Sequence, residues 1–232
     1  MPRLSLEIEL VRWIASLGGR SWWVDHIALA LVTGPLFRAV PSVAILSGYW
    51  AAADSHGRGP DTRREVLAGF VSSGAALVLS RLIQDVFQSL RPINDPTLAG
   101  LFHESFTPLD FHSFPSDHAA MLVPLVCAIG ALQPLAGAAT GLLLAFGLLA
   151  RIWRGLHYPS DVLAGALLGL AMVWIVRLRA DALDRGLDLL DRARSRRPLT
   201  VATILFLIAF LCASMFESVR DLVEHVRHAL WR

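Results

Sequence analysis

Near-continuous apolar runs separated by short polar breaks govern this chain from about residue 24 onward. About 20 apolar residues carry an α-helix across ~30 Å of hydrocarbon, where only helices and closed barrels satisfy their own backbone. The pattern predicts spans near 65–90, 118–134, 136–153, 160–177 and 199–216, with a further crossing within 24–53. That run is broken by Pro35, Arg38 and Pro41, so a single kinked span and an interfacial piece followed by a short span are both open. Ahead of it, Leu4, Ile8, Val11, Ile14 and Leu17 recur at helical spacing while Glu7, Glu9 and Arg12 fall off the stripe. That pattern predicts an amphipathic helix on the membrane surface. Trp13, Trp22 and Trp23 suit an interfacial belt. The expected fold is all-α: a polytopic membrane helix bundle of about six transmembrane helices with an N-terminal amphipathic interfacial helix, forming one domain over 1–232.

The breaks differ in character. Residues 54–64 read as a polar loop, and 178–198 as an arginine-rich amphipathic stretch ahead of the extra C-terminal span at 199–216. The connection 93–114 exceeds the usual loop length and reads as a lid or binding loop, with Phe102, Phe106, Phe111 and Phe114 placed to dip into lipid. Composition agrees with a membrane protein: 55% of the 232 residues are hydrophobic, and the mean hydropathy is +0.54. The net charge of +2 carries little information about partners, of which no nucleic acid is expected, and all 21 basic residues are arginine. Cys127 and Cys212 lie inside apolar runs and read as packing residues rather than a disulfide. Glu7, Glu9 and Arg12 interrupt any signal-peptide core. Arg58, Arg63, Arg64, Arg177, Arg179, Arg185, Arg192, Arg194, Arg196 and Arg197 gather at one end of the expected bundle, which makes that end cytoplasmic. The opposite end then faces outward and carries both termini.

At that outward end sits the chemistry. Burying an ionised group in hydrocarbon costs ~2.5–3.5 kcal/mol on insertion scales, so Arg151, Arg154, His157 and Asp161 must occupy a helix end or a polar cavity. Pro159 should open a new helix with Asp161 in its first turn, from where the carboxylate can accept a proton from one nitrogen of His157 and aim the other outward. Upstream, Ser116 is a candidate N-cap whose following N–H groups form an anion cradle, with Asp117 and His118 just inside the helix. Arg91-Pro92 closes the run 65–90. Arg91, Arg151 and Arg154 suit a phosphate clamp, although Arg154 equally suits headgroup snorkelling. Two histidines and Asp161 are also a known metal-ligand set. The neighbouring arginines would repel a cation by ~4 kcal/mol per close unit-charge pair at an effective dielectric of 20, so no metal and no cofactor is expected. Arg81 and Asp85, one turn apart, read most simply as a neutralised pair.

These three clusters, in this order and spacing over 81–165, resemble the type 2 phosphatidic acid phosphatase superfamily, with signatures Lys-x6-Arg-Pro, Pro-Ser-Gly-His and Ser-Arg-x5-His-x3-Asp. Here they stand as Arg91-Pro92 with Gln84 in the lysine position, Pro115-Ser116-Asp117-His118, and Ala150-Arg151-x5-His157-x3-Asp161. The resemblance implies a membrane phosphatase in which His157 attacks phosphorus, His118 protonates the leaving oxygen and Asp161 orients His157. It implies further that Arg91, Arg151 and Ser116 hold the phosphoryl oxygens, a group to which the sequence adds Asp117 and Arg154 as candidates. Either the site works with one cation fewer, or Arg81 or Arg154 replaces the lysine. The Pro-Ser-Asp-His variant resembles the branch acting on undecaprenyl diphosphate, which makes an isoprenoid lipid diphosphate the expected substrate. The lipid bilayer is then the only other partner expected, and the bacterial plasma membrane, with an extracytoplasmic site, the expected location. A broad phosphatidate or phosphatidylglycerophosphate phosphatase and a lipid phosphotransferase are the enzymatic alternatives. A transporter or structural bundle is the non-enzymatic one.

Overall fold

The computed structural model of the chain describes residues 5–34, 38–53, 59–98, 100–102 and 112–214. The described residues form α1 (Ser5–Ala15), α2 (Trp22–Thr33), α3 (Val40–Ala52), α4 (Gly59–Phe87), α5 (Asp117–Leu132), α6 (Pro134–Trp153), α7 (Pro159–Arg177), α8 (Ala180–Arg196) and α9 (Pro198–Ala213). Two short 3₁₀ turns, Pro92–Asn94 and Pro96–Leu98, follow α4, and no strand occurs among the described residues. The chain is therefore all-α, as its hydrophobic pattern predicts. By length and composition α4, α6 and α7 can each cross a membrane, while α2, α3, α5 and α9 are shorter apolar helices. At 29 residues, α4 is ~44 Å long and starts before the predicted 65–90 window. The run 24–53 resolves into two separate helices instead of one kinked span. Phe106, Phe111 and Arg58 lie outside the described residues.

Close helix packing requires small residues where backbones meet. A Cβ on Gly165 of α7 would collide with the Ser116 carbonyl, and one on Gly169 would sit 2.8 Å from the Ala120 carbonyl. This Gly-x-x-x-Gly face brings the N-terminal ends of α5 and α7 side by side. Between α4 and α5, Ser73 Oγ donates to the Met121 carbonyl at 2.8 Å. The core beneath is apolar, with Leu46, Val66, Met121, Leu125 and Ile129 at its centre. Outward-facing positions are apolar as well: Leu163, Leu167 and Trp174 of α7, Val78 and Leu82 of α4, and Phe206 of α9 are exposed. Apolar exposure on so many sides suits hydrocarbon rather than water. Cys127 and Cys212 are both free thiols.

The two ends are tied differently. At one end α8 packs against α4 and α9, with Leu183 and Leu187 buried. Arg64 of α4 is bidentate on Asp184 at 2.7 and 2.9 Å, and Arg177 bonds Glu65 at 2.7 Å. The other end carries the three clusters and α1. The amphipathic α1 does form, but its polar residues are put to use: Glu7 Oε1 accepts from Ser160 N at 2.9 Å, and Arg12 donates to the Thr97 carbonyl at 3.2 Å. Val11 packs with Leu98 and Tyr158 on its inner side.

Candidate active site

The segments 89–93, 112–116 and 155–161 meet at this end, held together mostly by backbone hydrogen bonds. Leu90 and His112 form an isolated antiparallel bridge, and Ser113 N donates to the Ser89 carbonyl at 2.7 Å. Ile93 N donates to the Gly155 carbonyl and Ser116 N to the Asp161 carbonyl, each at 2.9 Å. Gly155 adopts φ +69, and a Cβ there would press on the Phe102 ring at 2.8 Å, so the turn between α6 and His157 requires glycine twice over. The result joins Arg91, Ser113, Ser116 and His157 into one polar floor under the helix ends.

His157 is 1% exposed. Its Nδ1 lies 3.0 Å from the Ser113 carbonyl, and because a carbonyl only accepts, Nδ1 carries the proton and Nε2 keeps its lone pair. Asp161 opens α7 as the sequence predicts, with Pro159 in the first turn. Its Oδ2 accepts from Tyr158 N at 2.8 Å and stands 3.9 Å from His157 Nδ1, beyond hydrogen-bond reach. The expected Asp161–His157 hydrogen bond is thus corrected: the Ser113 carbonyl receives the His157 proton, while Asp161 fixes the backbone next to it and supplies a nearby negative charge. Burial, and after it the Arg91 charge, push the His157 pKa well below 6.5.

Ser116 caps α5 as expected, accepting from Ala119 N at 3.4 Å. The anion cradle beyond it is occupied from within, since His118 N donates to Asp117 Oδ1 at 2.9 Å. Asp117 is 3% exposed. Both of its oxygens are engaged by the protein: Oδ1 lies 3.0 Å from His118 Nδ1, and Oδ2 is bound by Arg81 Nη2. A carboxylate one residue from the cap is the nearest anion to the helix start and fills the place a phosphate would take. Arg81 accordingly reaches across to α5 rather than serving Asp85, which lies exposed on α4. Its Nη1 also donates to Gln84 Oε1 at 3.2 Å, and Gln84 Nε2 donates to the Pro115 carbonyl at 2.7 Å. One ring nitrogen each from His118 and His157 and an Asp117 oxygen fall within 4.8 Å of one another.

Arg91 and Arg151 are 7% and 3% exposed. Arg91 Nη1 donates to the Leu156 carbonyl and Arg151 Nη1 to the Gly147 carbonyl, at 3.2 and 3.1 Å respectively. Both guanidinium groups act electrostatically on His157. Arg154 caps the C-terminal end of α6 and lines a separate cavity of ≈430 Å³ with Trp22, Asp25, His26, Phe102 and Trp153. The structure therefore gathers His118, His157, Asp161, Ser116, Asp117, Arg91 and Arg151, and turns Arg154 toward a neighbouring space. Sequence reasoning missed Ser113 and Gln84 as organisers of the site. A signal for Gln84 existed: Ser73, Ser80 and Gln84 form a polar stripe at helical spacing inside an apolar helix, and all three bond carbonyls of the Pro115–Met121 segment.

Comparison with known proteins agrees with this arrangement. Among curated relatives, the bacitracin transport permease protein BcrC of Bacillus licheniformis is 28% identical over 169 residues, covering 71% of this chain and 75% of that protein. Among solved structures, the first transmembrane PAP2-type phosphatidylglycerolphosphate phosphatase from Bacillus subtilis shares the fold, with a TM-score of 0.53 at 18% identity over 78% of this chain and 89% of that one. The family model described as the PAP2 superfamily matches residues 65–184, a stretch that holds all three clusters, and the chain belongs to that superfamily as a membrane lipid phosphatase.

Proposed function

We propose that the chain hydrolyses an isoprenoid lipid diphosphate, undecaprenyl diphosphate before others, through a phosphohistidine on His157. The carrying observation is the His157 Nδ1 contact with the Ser113 carbonyl at 3.0 Å, which leaves Nε2 as a neutral nucleophile beside His118. Nε2 attacks phosphorus, the bond to the leaving oxygen breaks, and His118 gives that oxygen its proton. Water then attacks the phosphohistidine, passes a proton to His118, and the P–N electron pair returns to His157. Arg91 and Arg151, fixed by carbonyls before substrate arrives, oppose the charge on the phosphoryl oxygens. The 3.9 Å separation lets Asp161 stabilise the positive ring of the intermediate. Asp117, His118 and His157 have ligand-type atoms, but Arg81 on Asp117 and two further arginines favour an anion there, so the reaction runs without metal. Arginine crowding at the α8 end supports an extracytoplasmic site in a bacterial plasma membrane.

The test is phosphate release and acid-quenched trapping of ³²P-labelled protein in detergent, with undecaprenyl diphosphate, phosphatidate and phosphatidylglycerophosphate compared by kcat/KM. Wild type should form labelled protein and His157→Ala none, with activity surviving EDTA and falling with vanadate. A folded His157→Ala variant that still turns over overturns the nucleophile. No phosphate release from any lipid returns the chain to a transporter or structural bundle.

A further inference from the structure

The two histidines of the site are backed by different chemistry. His157 Nδ1 faces a neutral carbonyl, whereas His118 Nδ1 faces the Asp117 carboxylate at 3.0 Å. Asp117 is buried, and a buried carboxylate requires a fixed counter-charge. Arg81 supplies it through Nη2 on the other oxygen. Arg81 is steadied in turn by Gln84 Oε1, and Gln84 Nε2 is anchored on the carbonyl of Pro115, two residues before Asp117. Ser80 Oγ reaches the same carbonyl at 3.4 Å. The chain Pro115–Gln84–Arg81–Asp117–His118 thus closes on itself across the α4–α5 interface and ends on one imidazole. A carboxylate held in this way accepts only, so His118 Nδ1 carries a proton and Nε2 is the nitrogen left to exchange one with substrate.

We propose that Asp117, braced by Arg81 and Gln84, is the positioning residue for His118, fixing the tautomer and aim of the general acid as the Ser113 carbonyl does for the nucleophile. The proposal rests on the reading of His118 as the acid. The reacting form of His118 is the imidazolium, with Nδ1–H on Asp117 and Nε2–H toward the leaving oxygen. As the P–O bond breaks, the Nε2 proton moves to that oxygen and the ring becomes neutral. In the second step the attacking water returns a proton to Nε2 as the P–N bond breaks. Asp117 stays ionised throughout. A carboxylate suits a ring that reacts as a cation, and a carbonyl suits a ring that attacks while neutral.

An acid-positioning role has a signature that plain structural support lacks, because protonation matters only where the leaving oxygen is a poor leaving group. The experiment compares kcat for a long-chain alkyl phosphate and for 4-nitrophenyl phosphate in Asp117→Asn, Asp117→Gly and the charge-neutral double variant Arg81→Gln/Asp117→Gly, with His118→Ala as reference and thermal unfolding in detergent as the folding check. A positioned general acid contributes roughly 10²–10⁴-fold. Asp117→Gly should therefore lose on the order of 10²-fold or more in kcat on the alkyl ester and only a fewfold on the nitrophenyl ester, with KM little changed. Asparagine, which keeps an oxygen for Nδ1–H, should lose less. Equal loss on both esters, loss confined to KM, or no loss overturns the role of Asp117 if His118→Ala shows the leaving-group bias. If His118→Ala shows no such bias, the acid reading fails first. The double variant keeps the comparison decisive if Asp117→Gly alone does not fold with Arg81 deprived of its carboxylate.

Discussion

Replacing Asp161 by asparagine separates its two tasks. The amide keeps an oxygen where Oδ2 accepts from Tyr158 N at 2.8 Å, so the start of α7 and the His157 backbone should hold. What disappears is a negative charge 3.9 Å from His157 Nδ1. Both side chains are at most 1% exposed, so solvent screens the pair little. At an effective dielectric of about 20, unit charges at this separation interact by about 4 kcal/mol. The ring is neutral before attack and cationic in the phosphohistidine; with half the charge developed in the transition state the loss is about 2 kcal/mol, or about 30-fold in kcat, rising toward about 10³-fold if charge is fully developed. Rates of phosphoenzyme formation by quench-flow should fall within that range with KM nearly unchanged and Tm within a degree or two of wild type. Asp161→Ala should add a fall in Tm, since losing the cap costs ~1 kcal/mol. A rate for the asparagine variant within about threefold of wild type would refute the electrostatic role and leave the Ser113 carbonyl as sole support of His157.

The pH dependence follows from His157. Its neutral form attacks, and burial together with Arg91 lowers its pKa below 6.5, so the fall in kcat/KM caused by its protonation should set in only below pH 6.5. Arg91→Gln removes a cation that disfavours protonation, so the residual activity should show its acid limb at higher pH; an unmoved limb contradicts the assignment. Gly165→Ala should separate α5 from α7 at the Ser116 carbonyl, cost about 1–3 kcal/mol and abolish most activity, as read by Tm and phosphate release, whereas Gly74→Ala, where an added Cβ meets nothing within 4 Å, should leave both unchanged. Gln84→Lys restores the residue type of the family signature, yet it removes the acceptor for Arg81 and sets a second cation beside it, so kcat/KM should fall; a rise would show that the missing lysine, and not the Arg81–Asp117 link, limits the site.

The hydrophobic pattern made the bundle and its chemical end legible, because membrane helices keep charge to their termini. Pro159, Asp161 and the Ser116 cap, read from local rules, all occupy the predicted helix starts. The boundary at 24–53 was less legible. A helix broken around Pro35 and Pro41 and a single kinked one differ only in what the pieces pack against. Here α2 sets Ala28 and Val32 on Ala150 and Leu156 beside the site, while α3 contributes Val43 and Leu46 to the main core.

The hydrogen-bond partners were hidden for a different reason. Every residue has a carbonyl, so nothing in the side-chain pattern marks those of Ser113, Pro115 and Leu156 as the acceptors that fix His157, Gln84 and Arg91. Arg81 illustrates the limit of helical spacing. Asp85 one turn away is a geometrically allowed partner, but it lies exposed, and an ion pair there is worth little. Asp117 is buried and would be left uncompensated without a cation, so the helix–helix contact decides the pairing. In sequence, the glutamine at 84 and the aspartate at 117 look like two unrelated departures from the family signatures. In three dimensions Arg81 touches both, and each makes sense of the other: the carboxylate gives Arg81 its charge partner, and the glutamine, unlike a lysine, can accept a hydrogen bond from that same arginine.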